Sequence, residues 1–163
     1  MSGAPVSFRL NGVERTIDVP AETRLSEILR DLLSLTASKV ACGVGRCGAC
    51  SVLMNERPVN ACLVMAWQLE DADIVSPEGL DILPETRIVR QALSAENAFQ
   101  CGYCAPGFVT VLVSLLRNDP DAEMSQIKAA LEGNICRCTG YHSILRGAQA
   151  AAEAVRAERS KSA

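Results

Sequence analysis

A chain of 163 residues, 48% of them apolar and eight of them cysteine, has enough hydrophobic material for a core of its own, so it is not a small secreted scaffold held folded by disulfides. A formal net charge of -3, with no block of Lys or Arg, argues against nucleic acid as a partner. The start of the chain lacks the basic cluster, apolar run or paired arginines of an export signal, so a reducing, cytoplasmic setting is expected, where clustered thiols hold metal more often than cross-links.

Residues 6–10 and 15–19 flank Asn11-Gly12, a strong hairpin signal. After Pro20, Thr23 is the expected N-cap of a helix that places Leu25, Ile28, Leu29 and Leu32 on one face. A glycine-rich cysteine stretch comes next. Residues 51–54 and 59–62 then bracket Asn55-Glu56-Arg57-Pro58 as a second strand–turn–strand, and 73–75 reads as a last strand. Pro77-Glu78-Gly79 is the best linker candidate. These elements suit a small mixed sheet clasping a helix.

From Leu83 the period turns helical. Pro84 suits a first helical turn, with Ile88, Val89, Ala92 and Leu93 as the apolar face. Pro106 opens a second helix whose run over 108–116 is apolar nearly all round, as in a buried central helix. That run is about half the ~20 residues needed to cross a bilayer. Asn118-Asp119-Pro120 ends it. Ser125 is the expected cap of a short helix that Gly133 closes in a left-handed turn, and a last amphipathic helix runs over 141–156 into a polar tail. No internal repeat is visible, so the chain is expected to divide into two unlike domains, residues 1–77 and 78–163.

The eight cysteines form two sets of four with none left over. Cys42, Cys47, Cys50 and Cys62 are spaced C-x4-C-x2-C-x11-C, and C-x4-C-x2-C opens the ligand pattern of a plant-type [2Fe–2S] ferredoxin. Gly43, Gly45 and Gly48 lie among them, as a loop wrapped closely around a cluster requires. The competing reading is a zinc knot, although structural zinc sites usually separate two cysteine pairs. Cys101, Cys104, Cys136 and Cys138 form a C-x2-C and a C-x-C at junctions between predicted helices. Alone, that second set leaves iron and zinc both open.

In this order and separation, the two motifs closely resemble the iron–sulfur subunit or domain of the molybdenum hydroxylases, the xanthine dehydrogenase/aldehyde oxidase family. The resemblance implies an α+β fold, with an N-terminal β-grasp, plant-ferredoxin-like domain followed by an all-α four-helix-bundle domain. It implies that Cys42, Cys47, Cys50 and Cys62 hold the [2Fe–2S] cluster nearer a flavin. Cys101, Cys104, Cys136 and Cys138 would hold the one nearer molybdenum, with Gln100 close to the pterin. It further implies a molybdopterin-binding large subunit, with the cofactor as the cytosine dinucleotide, and an FAD-binding medium subunit. Electrons would pass from molybdenum through both clusters to FAD, while the partner oxidises an aldehyde, a purine or another N-heterocycle. Ala105 and Ile135 stand where the family commonly has Thr and Leu.

Other residues carry less. Arg137, between two cysteines, tunes the second site or faces a partner as readily as it sits in solvent. His142, the only histidine, is read as a surface residue, and a site needing a histidine pair is excluded. Trp67 and Tyr103 are read as packed aromatics. No thiol is spare for nucleophilic catalysis. Two rivals stay open: a free-standing electron carrier, for which the charge is mild, and a colourless zinc-stabilised interaction module.

Overall fold

A computed structural model describes residues 4–162; the first three residues, on which the export expectation partly rests, lie outside them. β1 (Ala4–Leu10) and β2 (Val13–Val19) form an antiparallel hairpin. Its turn residues Asn11 and Gly12 have φ of 53° and 81°, the left-handed pair of a turn that follows strand twist. α1 (Leu25–Glu27) runs directly into a π-helical turn, Ile28–Leu32. Thr23 does not cap it: Arg24 does, in an extended conformation without a side-chain cap. The wider π turn also rotates Leu32 off the shared face, leaving it 52% exposed while Leu25, Ile28 and Leu29 are buried.

β3 (Ser51–Met54) and β4 (Arg57–Asn60) make the second hairpin around Asn55 and Glu56. β4 starts two residues earlier than the sequence suggests and includes Pro58. It can, because the sheet order β2-β1-β5-β3-β4 puts β4 at an edge, where a missing N–H costs nothing. Cys62 consequently lies in the turn after β4 rather than in a strand. β5 (Asp73–Val75) runs parallel to β1 and antiparallel to β3. Val6, Phe8, Leu10, Val52 and Ile74 from the strands form one buried cluster with Leu25, Ile28 and Leu29.

The linker is packed. Ser76, Pro77 and Gly79 are buried, and the Asn11 side chain accepts from the Ser76 N–H at 2.9 Å and donates to its hydroxyl at 3.1 Å. A Cβ on Gly79 would overlap that asparagine.

α2 (Glu85–Ala95) follows Pro84, and α3 (Ala105–Asn118) carries Pro106 in its first turn. α4 (Met124–Leu131) is entered through Glu123, whose N–H donates to the Gln126 side chain at 2.8 Å, so Ser125 lies inside the helix rather than capping it. Gly133 follows α4 without a positive φ, so the expected left-handed closure is absent there. α5 (His142–Ser162) starts after Tyr141, at φ 70°, and outruns its expected end. A second buried cluster gathers Val89, Leu93, Phe108, Leu112, Leu116, Ile127 and Ile144, and reaches Leu53, Val75 and Leu80 of the first half. The protein is thus α+β, a sheet unit followed by a helical unit along a shared apolar seam. Among the described residues no helix is long and apolar enough to cross a membrane.

Candidate metal centres

The loop carrying Cys42, Cys47 and Cys50 joins the π turn to β3. Gly43, Gly45 and Gly48 adopt left-handed φ of 66°, 74° and 65°, which a side chain would strain. The resulting turns aim backbone donors at sulfur. Val44 and Arg46 N–H reach Cys42 Sγ at 3.5 and 3.3 Å, and Gly45 N–H reaches Cys62 Sγ at 3.2 Å. From outside, the Arg24 guanidinium donates to the Gly43 carbonyl and the Asn60 amide to the Gly45 carbonyl, both at 3.0 Å. A Cβ on Gly45 would overlap Leu63, so the loop is pressed against the turn carrying the fourth cysteine.

The thiols influence one another electrostatically, Cys42 with Cys47 and Cys50 with both Cys62 and Cys47. The Val44 N–H, ahead of the other donors, pulls the Cys42 thiol down to about 6 against its modest burial. Burial pushes Cys50 up to about 12.

In the second set, Cys101 and Cys104 precede α3, while Cys136 and Cys138 lie in the α4–α5 connection. Here the Cys138 and Cys101 sulfurs lie 3.6 Å apart, and Cys104 is influenced by both Cys136 and Cys101. The Thr139 hydroxyl donates to Cys136 Sγ and the Cys136 N–H donates to the Tyr141 hydroxyl, both at 3.1 Å. Burial lifts Cys104 to about 12. At Cys136 burial acts upward too, but donors from Thr139 and the backbone outweigh it and the thiol falls below its ordinary value. Cys138 is raised, chiefly by its hydrogen bond with Cys101.

Four mutually interacting thiols per set supply the four thiolates that hold a [2Fe–2S] group between two irons. A zinc knot needs four thiolates closing on one point.

Gln100, Arg137 and His142 are exposed, and Gln100 directly precedes Cys101 in the chain. The packing expected of two aromatics fails: Trp67 is 64% and Tyr103 46% exposed. Trp67 points out of the short turn Ala66–Gln68, whose neighbours Ala66 and Leu69 fill the core instead. The Tyr103 hydroxyl donates to the Val40 carbonyl at 2.8 Å, tying the second set's loop to the segment before the first.

The sequence reading missed how the two sets meet. The Ile135 N–H donates to the Cys47 carbonyl at 2.9 Å, and the buried Asn134 amide donates to the Gly48 carbonyl at 3.3 Å. In α3, a Cβ on Gly107 would overlap that same Gly48 oxygen. A glycine inside an otherwise bulky helix was the available signal.

The family described as "2Fe-2S iron-sulfur cluster binding domain" matches residues 8–80, and the "[2Fe-2S] binding domain" matches residues 77–149. The chain is 43% identical over 143 residues to a probable xanthine dehydrogenase subunit from Bacillus subtilis, covering 86% of this chain and 82% of that one. It is 37% identical over 144 residues to the nicotinate dehydrogenase small FeS subunit of Eubacterium barkeri, covering 88% and 92%. The solved aldehyde oxidoreductase of Desulfovibrio gigas superposes with a TM-score of 0.86 at 31% identity, covering 95% of this chain but 17% of that longer one.

Proposed function

Since the chain belongs to the iron–sulfur subunits of the molybdenum hydroxylases, we propose that each of its cysteine sets holds one [2Fe–2S] group. The protein is an electron-transfer subunit of an oxidoreductase of that kind, and its sheet unit is ferredoxin-like. Cys42, Cys47, Cys50 and Cys62 ligate one group; Cys101, Cys104, Cys136 and Cys138 ligate the other. When bound, such a group takes up and releases electrons singly. The chain supplies placement and charge compensation. Donors from Val44, Gly45, Arg46 and Thr139 offset negative charge on the sulfurs, which favours the reduced state. Gly43, Gly45 and Gly48 permit the loop that aims three of them.

We read the sheet unit as a β-grasp and the helical unit as a four-helix bundle around α3, with the boundary between residues 77 and 78. The exposed Gln100 amide is suited to hydrogen-bond a pterin, so the face of Gln100, Gly102 and Arg137 docks a molybdopterin-binding large subunit, with the cofactor as its cytosine dinucleotide. The end bearing Cys42 faces an FAD-binding medium subunit, which receives the electrons. The partner oxidises an aldehyde, a purine or another N-heterocycle, and the complex works in the cytoplasm.

The gathering of four interacting thiols in each set, with backbone and Thr139 donors aimed at their sulfurs, carries this reading. It is tested by purifying the protein from its native source and measuring visible absorbance, iron, molybdenum and flavin. A red-brown complex with two irons per cysteine set is expected. Stoichiometric zinc without visible absorbance overturns the cluster assignment, and a lone monomer overturns the docking.

A further inference from the structure

We propose that Asn134 is a positioning residue for electron passage between the two cysteine sets; this rests on the reading of both sets as [2Fe–2S] sites. Cys47 and Cys136, one from each set, are joined by a short run of bonds. It comprises the Cys47 carbonyl, the 2.9 Å hydrogen bond from the Ile135 N–H, and the peptide linking Ile135 to Cys136. Electronic coupling through such a run exceeds coupling across an equal gap without bonds, and it falls steeply when the hydrogen bond lengthens. One electron leaves the second site and enters the first, and no proton moves and no bond breaks.

Asn134 holds that hydrogen bond in place. Its side chain is 4% exposed and donates to the carbonyl of Gly48, the residue after Cys47. Asn134 and Ile135 thus grip two successive carbonyls of the first loop, one by a side chain and one by the backbone. The grip has a fixed base, since the Asn134 N–H is bound to the Leu131 carbonyl at the end of α4. It also has no slack. A Cβ on Gly48 would lie 2.6 Å from the Gly133 carbonyl, and one on Gly107 would overlap the Gly48 oxygen. The hydrogen bonds that Asn134 donates end on the Gly48 and Leu131 carbonyls rather than on sulfur, so the buried amide serves the distance between the sets.

The test uses the intact complex carrying Asn134→Leu, near in size and uncharged but without the donor, and Asn134→Ser, which keeps a shorter donor. Iron content and both midpoint potentials should equal those of the native complex. The magnetic splitting between the two reduced sites should change, and Ile135 N–H exchange should quicken. Reduction of the first site after substrate addition should slow severalfold in Asn134→Leu and less in Asn134→Ser. Native splitting and a native transfer rate overturn the proposal. So does a slowed rate accompanied by shifted potentials, since driving force then explains it. If Asn134→Leu fails to assemble, Asn134→Ser carries the same comparison. If substrate never reduces the first site even in the native complex, the electron-transfer reading falls as well.

Discussion

The first cysteine set takes three thiols from one nine-residue loop, whereas the second collects its thiols from two junctions that meet only because α3, α4 and α5 pack together. Sulfur in the first set is compensated by the loop's own N–H groups, and sulfur at Cys136 by the Thr139 side chain. The geometry of the first is therefore encoded locally, in glycines and backbone turns. That of the second is encoded remotely, in the packing of a hydrophobic core that includes Cys136 itself. Damage to the helical core should reach the second set and spare the first.

The largest test of that contrast is Cys104→Ser. Iron at the second set should be lost while electron paramagnetic resonance still shows the signal of the first. Loss of both signals together would mean that the units do not fold independently, and the contrast would collapse. Phe108→Ala comes next. Phe108 is fully buried one turn from Cys104, with its ring 5.9 Å from that of Phe99. Removing it should cost about 3–5 kcal/mol. On heating, absorbance from the second set should bleach well before the first; simultaneous bleaching would show one cooperative unit instead. The smallest effect is at Thr139→Val, which keeps shape and deletes the donor to Cys136 Sγ. Losing a hydrogen bond of about 0.5–1.5 kcal/mol that favours the reduced state lowers the second site's potential by roughly 20–60 mV. The first site's potential should stay fixed in redox titration, and an equal shift at both would deny the local origin of the effect.

The same contrast explains what the sequence disclosed. The thiols, their grouping and the glycines between them are local facts, so the loop's ability to point N–H groups at sulfur was legible from spacing. The long apolar run of α3 was legible too, because burial all round leaves no polar stripe. Leu32 was misplaced because the pattern assumes 3.6 residues per turn and the chain inserts a π turn. Trp67 was misread because composition cannot tell a packed aromatic from one on an outward turn. Pro58 hid a strand because edge position depends on the whole sheet order. The meeting of Asn134 with Gly48, 86 residues apart, left only one trace in the sequence, the glycine at 107 in an otherwise bulky α3, because a contact between two units has no local pattern.

In the sheet, β1 lies between β2, its immediate successor, and β5, which ends at Val75. During synthesis the first hairpin is complete once Val19 has emerged, yet one side of β1 stays unpaired until β5 arrives. Everything made in between, including Cys42 to Cys62, belongs to the loop that this pairing closes. Closing a long loop costs entropy before its contacts reward it, so the sheet shuts in one late step. Asn11 can grip Ser76 only after that step. Cys42 to Cys62 thus lie within the loop that pairing β5 against β1 closes, so the two ends of the thiol-bearing segment are tied to one sheet.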